Sequence, residues 1–223
     1  MIGVLKMDGV EELWMQKLKK FNVEIPDMTF EECYNDLFED CYNYSDLLDT
    51  LFLFSNNYYM YPEIYQMKLL LIIWVQLKIT FPEDRTIVNN TIKAIYQSET
   101  EEFKKARTEL IRDKLEADNL ISCDDNGKEY IIVYRGVNHK SASSDVAISW
   151  TYNIDVAKWF ANRFACLHRD DKCCRVIQGK IYLKDILSIE HSRQEDEIIA
   201  FPHKVFDISE VTDFVAKYDY NGE

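Results

Sequence analysis

The sequence predicts an α+β fold in which a helical first half precedes a strand-rich second half. Apolar residues recur at helical spacing through residues 1–120, a glycine-containing turn follows at residues 124–127, and short β-rich runs come after it. The chain has 223 residues, 47% of them hydrophobic, so it can bury a sizeable core. No Gly/Pro/Ser-rich linker separates residues 1–120 from residues 121–223, and we therefore expect the two regions to pack as one unit.

The first half is predicted to be helical almost throughout. Residues 10–21 are amphipathic, and Thr29, which two acidic residues follow in the next turn, is typical of a helix start. Pro62 is placed to open a long apolar helix, and Pro82 to end that region. Residues 86–120 form a charged, amphipathic helical stretch.

The second half alternates between β-rich runs and turn residues. A polar loop is expected at residues 141–145, and the apolar spacing of residues 155–164 predicts a helix. The predicted strands are residues 130–134, 146–150, 175–183, 197–201 and 205–208.

The charge of the chain limits its partners. The net charge is −13, which argues against broad binding to a nucleic-acid backbone, although a small local basic patch stays compatible with it. Residues 24–49 hold nine acidic residues and no basic residue. We favour a solvated helical face as the interpretation of this acidic band, and a docking surface for a basic partner is the alternative.

The cysteines and the apolar runs favour a cytoplasmic protein, including one acting in the cytosol of an infected or targeted host cell. None of the six cysteines forms a C-x-x-C pair, so no metal site is expected and the thiols are expected to be reduced. The most apolar run, residues 69–75, is too short to span a bilayer, and residues 1–20 are charged and amphipathic, unlike a signal peptide. We expect no association with a membrane.

Three short motifs of the second half combine polar groups that could act together. They are Tyr134-Arg135-Gly136 at the end of a predicted strand, Ser149-Trp150-Thr151 before the predicted helix, and Glu195-Asp196-Glu197 before an apolar strand. Taken singly, the first is typical of a surface arginine, the second of a helix cap and the third of a solvated turn. Their shared order and setting favour a functional interpretation instead.

This order resembles the signature of the mono-ADP-ribosyltransferases, in which an arginine, a Ser-x-Ser/Thr motif and a Glu-x-Glu motif follow one another. Residues 148–160 are especially similar to small bacterial and phage members of the family, and the resemblance covers about residues 129–208. It implies an ADP-ribosyltransferase-like core over residues 121–223, with NAD as substrate. The implied activity is transfer of ADP-ribose to a macromolecule, with a protein side chain as acceptor and arginine favoured by the Glu-x-Glu motif.

The chemistry of NAD explains why these residue types are required. A guanidinium such as that of Arg135 binds pyrophosphate oxygens through its planar fork. Breaking the bond between nicotinamide and ribose develops positive charge on the ribose, which a carboxylate such as Glu197 stabilises. Ser149 can hold that carboxylate or the ribose, and Glu195 lies on the same side of an extended segment, where it can align the acceptor.

The residues expected to contact NAD form a larger set than the catalytic ones. Catalytic roles are expected for Arg135, Ser149, Glu195 and Glu197. Of these, Arg135, Ser149 and Glu197 are expected to converge on one cleft. Residues expected to bind NAD are Arg135, Gly136, Ser149, Trp150, Thr151, Tyr152 and Phe160. The register of the two glutamates stays open, since Glu195 could be the catalytic one.

Two other functions stay open at this point. An NAD glycohydrolase would use the same residues with water as the acceptor. A non-enzymatic binding or inhibitor protein would use the acidic first half to cover a basic partner, with an inactive transferase fold behind it.

Overall fold

The structure of the chain is a computed structural model that describes residues 10–77, 82–138, 141–144, 146–163, 174–190 and 196–215. These residues form seven α-helices and seven β-strands, and the α+β class is thereby confirmed. The helices are α1 (Val10–Lys20), α2 (Phe30–Phe38), α3 (Tyr44–Asn57), α4 (Glu63–Leu77), α5 (Pro82–Ser98), α6 (Glu101–Ala117) and α7 (Ile154–Asn162). The strands are β1 (Ser122–Cys123), β2 (Glu129–Val137), β3 (Ser149–Thr151), β4 (Arg175–Tyr182), β5 (Ile186–Glu190), β6 (Glu197–Ala200) and β7 (Phe206–Glu210).

The chain divides into two compact units, Met1–Ala106 and Arg107–Glu223. This division falls inside α6, whereas the change from helices to strands, which the sequence predicts at residues 120 and 121, falls between Ala117 and Ser122. The expected packing of one half on the other stays a prediction. None of the described helices has the length and apolar character needed to cross a membrane.

Local capping explains where the helices of the first unit begin. The Thr29 hydroxyl accepts a hydrogen bond from the backbone amide of Glu32, whose carboxylate accepts one from the amide of Thr29, so the predicted start of α2 is confirmed. Asn43 and Asp46 form the same reciprocal arrangement at the start of α3. Glu32 and Asp46, two acids of the acidic band, therefore stabilise helix ends.

The helices predicted on either side of residue 82 are present, and the structure adds two details to them. Pro82 is the first residue of α5, because proline fits the first helical position, where its missing N–H would have no partner. The stretch at residues 86–120 is two helices, since Thr100 caps a new one: its hydroxyl accepts from the amide of Phe103, and its own amide donates to Glu63.

The second unit is built on one antiparallel sheet. Its strand order is β5-β6-β3-β2-β4-β7, with β1 paired to β2. Two strands, β1 and β5, were not predicted from the sequence, and the strand expected at residues 146–150 begins only at Ser149. Its apolar core includes Ile131, Val133, Ile181 and Ile198, all fully buried.

A glycine lets α7 lie directly on the sheet. A Cβ atom at Gly136 would lie 2.1 Å from the carbonyl oxygen of Ala157 and 2.5 Å from the backbone nitrogen of Ala161. Both alanines are fully buried and lie four residues apart, on one face of the helix. The absence of a side chain at residue 136, together with two small residues on the helix, thus sets the close approach of α7 to β2.

Candidate active site

A small cavity lies where β2, β3 and β6 run side by side. Its volume is about 200 Å³. The residues that line it come from all three of the motifs found in the sequence, with one side chain from α7 and one from the loop after β2. They are Tyr134, Arg135, Gly136, Ser141, Ser149, Trp150, Thr151, Phe160 and Glu197.

The strand register brings Ser149 and Glu197 together. Ser149 is paired with Ile199 and Thr151 with Glu197 in the antiparallel ladder between β3 and β6. Because side chains alternate between the faces of a sheet, Ser149 and Glu197 lie on one face as diagonal neighbours. The Ser149 hydroxyl donates a hydrogen bond to Oε1 of Glu197. Glu197 is only 6% exposed.

Arg135 forms the third side of the cavity and links two stretches of backbone. Its Nη1 donates to the carbonyl of Ser149 at 2.7 Å, and its Nη2 donates to the carbonyl of Ala142 at 3.2 Å. These bonds fix the plane of the guanidinium and hold the 141–144 loop beside β3. Arg135, Ser149 and Glu197 therefore line one cavity, and their catalytic roles stay a prediction.

The middle residue of the acidic triplet was missed by the sequence analysis. Asp196 has a φ of 46°, in the left-handed region that aspartate tolerates better than most residues. Its carboxylate accepts hydrogen bonds from the Tyr152 hydroxyl at 3.2 Å and from Nδ2 of Asn153 at 3.1 Å, and its carbonyl accepts from the amide of Tyr152. These bonds tie the residue before Glu197 to the segment after β3, so Asp196 sets where β6 begins.

Tyr152 gives this contact a measurable pH dependence. Burial, followed by the charge of Asp196, raises the pKa of Tyr152 from 10.0 to about 12. The folded state therefore holds this proton more tightly than the unfolded chain, and the resulting stability is present below pH 10 and is lost as the pH rises through about 12. We expect the unfolding free energy of Tyr152→Phe to fall less steeply over this range than that of the unmodified chain, as measured by urea unfolding at several pH values. Equal slopes would contradict the assignment.

Two of the predicted site residues, Tyr152 and Glu195, are not among the residues described as lining the cavity. Tyr152 is not among the described residues that line it, because its hydroxyl is turned to Asp196, so its contact with NAD stays a prediction. Glu195 lies outside the described residues, and its role likewise stays a prediction. Of the two aromatic residues of α7, Phe160 lines the cavity and Trp159 is 54% exposed.

Asn138 holds the edge of the cavity and was not singled out from the sequence. Its backbone N–H donates to the Ser141 hydroxyl at 3.0 Å, and its side-chain Nδ2 donates to the carbonyl of Phe160 at 2.9 Å. The residue is buried and joins the loop after β2 to α7. The contact with Ser141 is local, three residues along the chain, whereas the contact with Phe160 joins residues 22 apart and is set by the tertiary fold.

Comparisons of the chain with protein-family models, with curated proteins and with solved structures found no match. Within the described part of the chain, no cluster of three or more histidine, cysteine or acidic side chains could hold a metal ion.

Proposed function

We propose that residues 121–223 form an ADP-ribosyltransferase-like, NAD-binding core that transfers ADP-ribose from NAD to a macromolecular acceptor. The favoured acceptor is an arginine side chain of a protein, because Glu195 precedes Glu197 by two residues, as in the Glu-x-Glu motif. The observation that carries the proposal is the hydrogen bond from Ser149 to Glu197 in a cavity that Arg135 also lines.

The reacting bond of NAD joins nicotinamide to ribose, and positive charge develops on the ribose as it breaks. Glu197 stabilises that charge and accepts a hydrogen bond from the ribose 2′-hydroxyl. Ser149 keeps the carboxylate oriented by donating to it, so less reorganisation is needed during the reaction. Because Glu197 is largely removed from water, its negative charge acts through a lower dielectric than at the surface.

The other lining residues fit the remaining parts of the substrate. The Nη1 and Nη2 of Arg135 bind backbone carbonyls, and each carries a second N–H, a donor of the kind that phosphate oxygens bind. Tyr134 and Phe160 are among the lining residues and offer aromatic rings for a flat, cationic nicotinamide. A cavity of about 200 Å³ is smaller than the ~300–1,000 Å³ typical of ligand sites, so it suits the nicotinamide–ribose end of the dinucleotide and leaves the adenosine outside.

The same site would act as an NAD glycohydrolase if water took the place of the acceptor, because the step served by Glu197 is common to both reactions. We place the reaction in the cytosol, the compartment that the cysteine pattern of the sequence favours.

The proposal is tested by incubating the purified chain and a cell lysate with NAD labelled either in its adenylate phosphate or in its nicotinamide. We expect proteins to retain the adenylate label but not the nicotinamide label, because transfer releases nicotinamide. Glu210→Gln, a change on the exposed strand β7, should behave like the unmodified chain. Nicotinamide release without labelled protein would favour the glycohydrolase. Absence of nicotinamide release would contradict the enzymatic function and favour the binding protein.

A further inference from the structure

A groove of about 750 Å³ lies in the first unit and is lined by no residue of the candidate active site. Its walls are the loop after α1, the 3₁₀ turn Tyr58–Met60 with the start of α4, and the start of α6. This volume lies within the ~300–1,000 Å³ typical of ligand sites. The residues lining this acidic groove are Asn22, Val23, Glu24, Pro26, Asp27, Met28, Tyr59, Met60, Tyr61, Pro62, Glu63, Ile64, Thr100 and Glu102.

Large apolar side chains are exposed along the acidic groove. Met28 is 41% exposed, Tyr59 69% and Met60 71%. Tyrosine and methionine are enriched at protein interfaces, where a tyrosine ring gives a large contact area and a flexible methionine adapts to its partner. Pro26 and Pro62 restrict the backbone beside them, so this apolar surface is presented on a partly rigid frame.

The charged residues of the acidic groove are all negative. Four carboxylates line it, those of Glu24, Asp27, Glu63 and Glu102, and no lysine, arginine or histidine is among the lining residues. Glu63 is held at the start of α6 by the amide and the hydroxyl of Thr100. Glu24, Asp27 and Glu102 are exposed, and no residue of the described ranges forms a hydrogen bond or an ion pair with their carboxylates. Three exposed carboxylates therefore line the same groove as the exposed apolar side chains.

We propose that the acidic groove binds a basic segment of another protein. An aliphatic or aromatic side chain of that segment packs against Tyr59 and Met60, and its arginine or lysine side chains lie beside Glu24, Asp27 and Glu102. An apolar centre with a charged rim is the usual anatomy of a protein interface, and the rim charges select a cationic partner. Phosphate backbones are repelled by this rim, and a second copy of the chain, with its own net charge of −13, is a poor match for it.

The test measures the affinity of the chain for a fluorescent peptide in which arginine alternates with leucine. Binding is measured by fluorescence anisotropy at low salt. We expect the combined variant Glu24→Gln, Asp27→Asn, Glu102→Gln to bind about tenfold or more weakly and with a smaller salt dependence. The combined variant Tyr59→Ser, Met60→Ser should also bind about tenfold more weakly, because the apolar contact is lost. All five side chains are exposed or at the surface of the groove, and circular dichroism should show an unchanged fold.

The matched control is the variant Asp118→Asn, Asp125→Asn, Glu210→Gln, which removes the same number of exposed carboxylates from the second unit. It should bind the peptide within about twofold of the unmodified chain. A peptide with serine in place of leucine should bind weakly, and one with glutamate in place of arginine should not bind. The proposal would be overturned if the control lost as much affinity as the groove variant, if Tyr59 and Met60 proved dispensable, or if the unmodified chain did not bind the peptide. These outcomes do not depend on NAD, so they are distinct from a failure of the proposed transferase function.

Discussion

Replacement of Glu197 by glutamine is expected to lower the rate of nicotinamide release from NAD by ~10²–10³, the effect typical of losing one charged contact to a transition state. Glutamine has nearly the same shape, and its Oε1 can still accept the hydrogen bond from Ser149. The variant should therefore fold normally, which thermal unfolding can check. Transfer to the acceptor and hydrolysis of NAD should fall together, because both begin with the same bond cleavage.

Glu195 provides the comparison that separates the competing assignments. If Glu195 serves only the acceptor, Glu195→Ala should lose labelling of the target while it retains slow release of nicotinamide, since water needs less alignment than a guanidinium. If Glu195 is instead the catalytic acid, the results of the two variants should be reversed. Equal residual hydrolysis in both variants would contradict our assignment, and Glu210→Gln controls for the loss of a carboxylate elsewhere.

The Gly136→Ala variant is expected to destabilise the second unit strongly. Its Cβ would lie 2.1 Å from the carbonyl oxygen of Ala157 and 2.8 Å from Cβ of Phe160, so α7 would have to move away from β2. Overpacking of this kind typically costs about 1–3 kcal/mol, and a clash with backbone, which cannot rotate away, belongs at or above the upper end of that range. The midpoint of urea unfolding should fall accordingly.

Gly127→Ala is the matched control for this change. Gly127 has a φ of +73°, but no atom lies within 4 Å of the position of an added Cβ. That variant is destabilised by backbone strain alone, roughly 1 kcal/mol. If Gly136→Ala were no less stable than Gly127→Ala, the close approach of α7 to β2 would be wrong. If it is less stable, nicotinamide release should also fall, because Phe160 and the wall of the cavity move with α7.

Features that depend on neighbouring residues along the chain were predictable from the sequence. The start of α2 follows from Thr29 and Glu32, because an N-cap satisfies backbone groups within one turn. The α+β class and the position of β6 follow from the spacing of apolar residues. The choice of Arg135, Ser149 and Glu197 as site residues follows from the order of the three motifs and from the residue types that NAD chemistry requires.

The tertiary structure alone decided how those residues meet. Ser149 and Glu197 are 48 residues apart, and their contact depends on which strands pair and in which register, which no local pattern specifies. The strand β5 escaped prediction because it follows β4 after a single 3₁₀ turn, with no glycine or proline to mark the break. The left-handed backbone of Asp196 likewise depends on Tyr152 and Asn153, which reach it from the segment after β3. Local hydrogen bonds and apolar spacing are encoded in short stretches of sequence, whereas strand pairing and the contacts that surround a cavity are set by the simultaneous packing of distant segments.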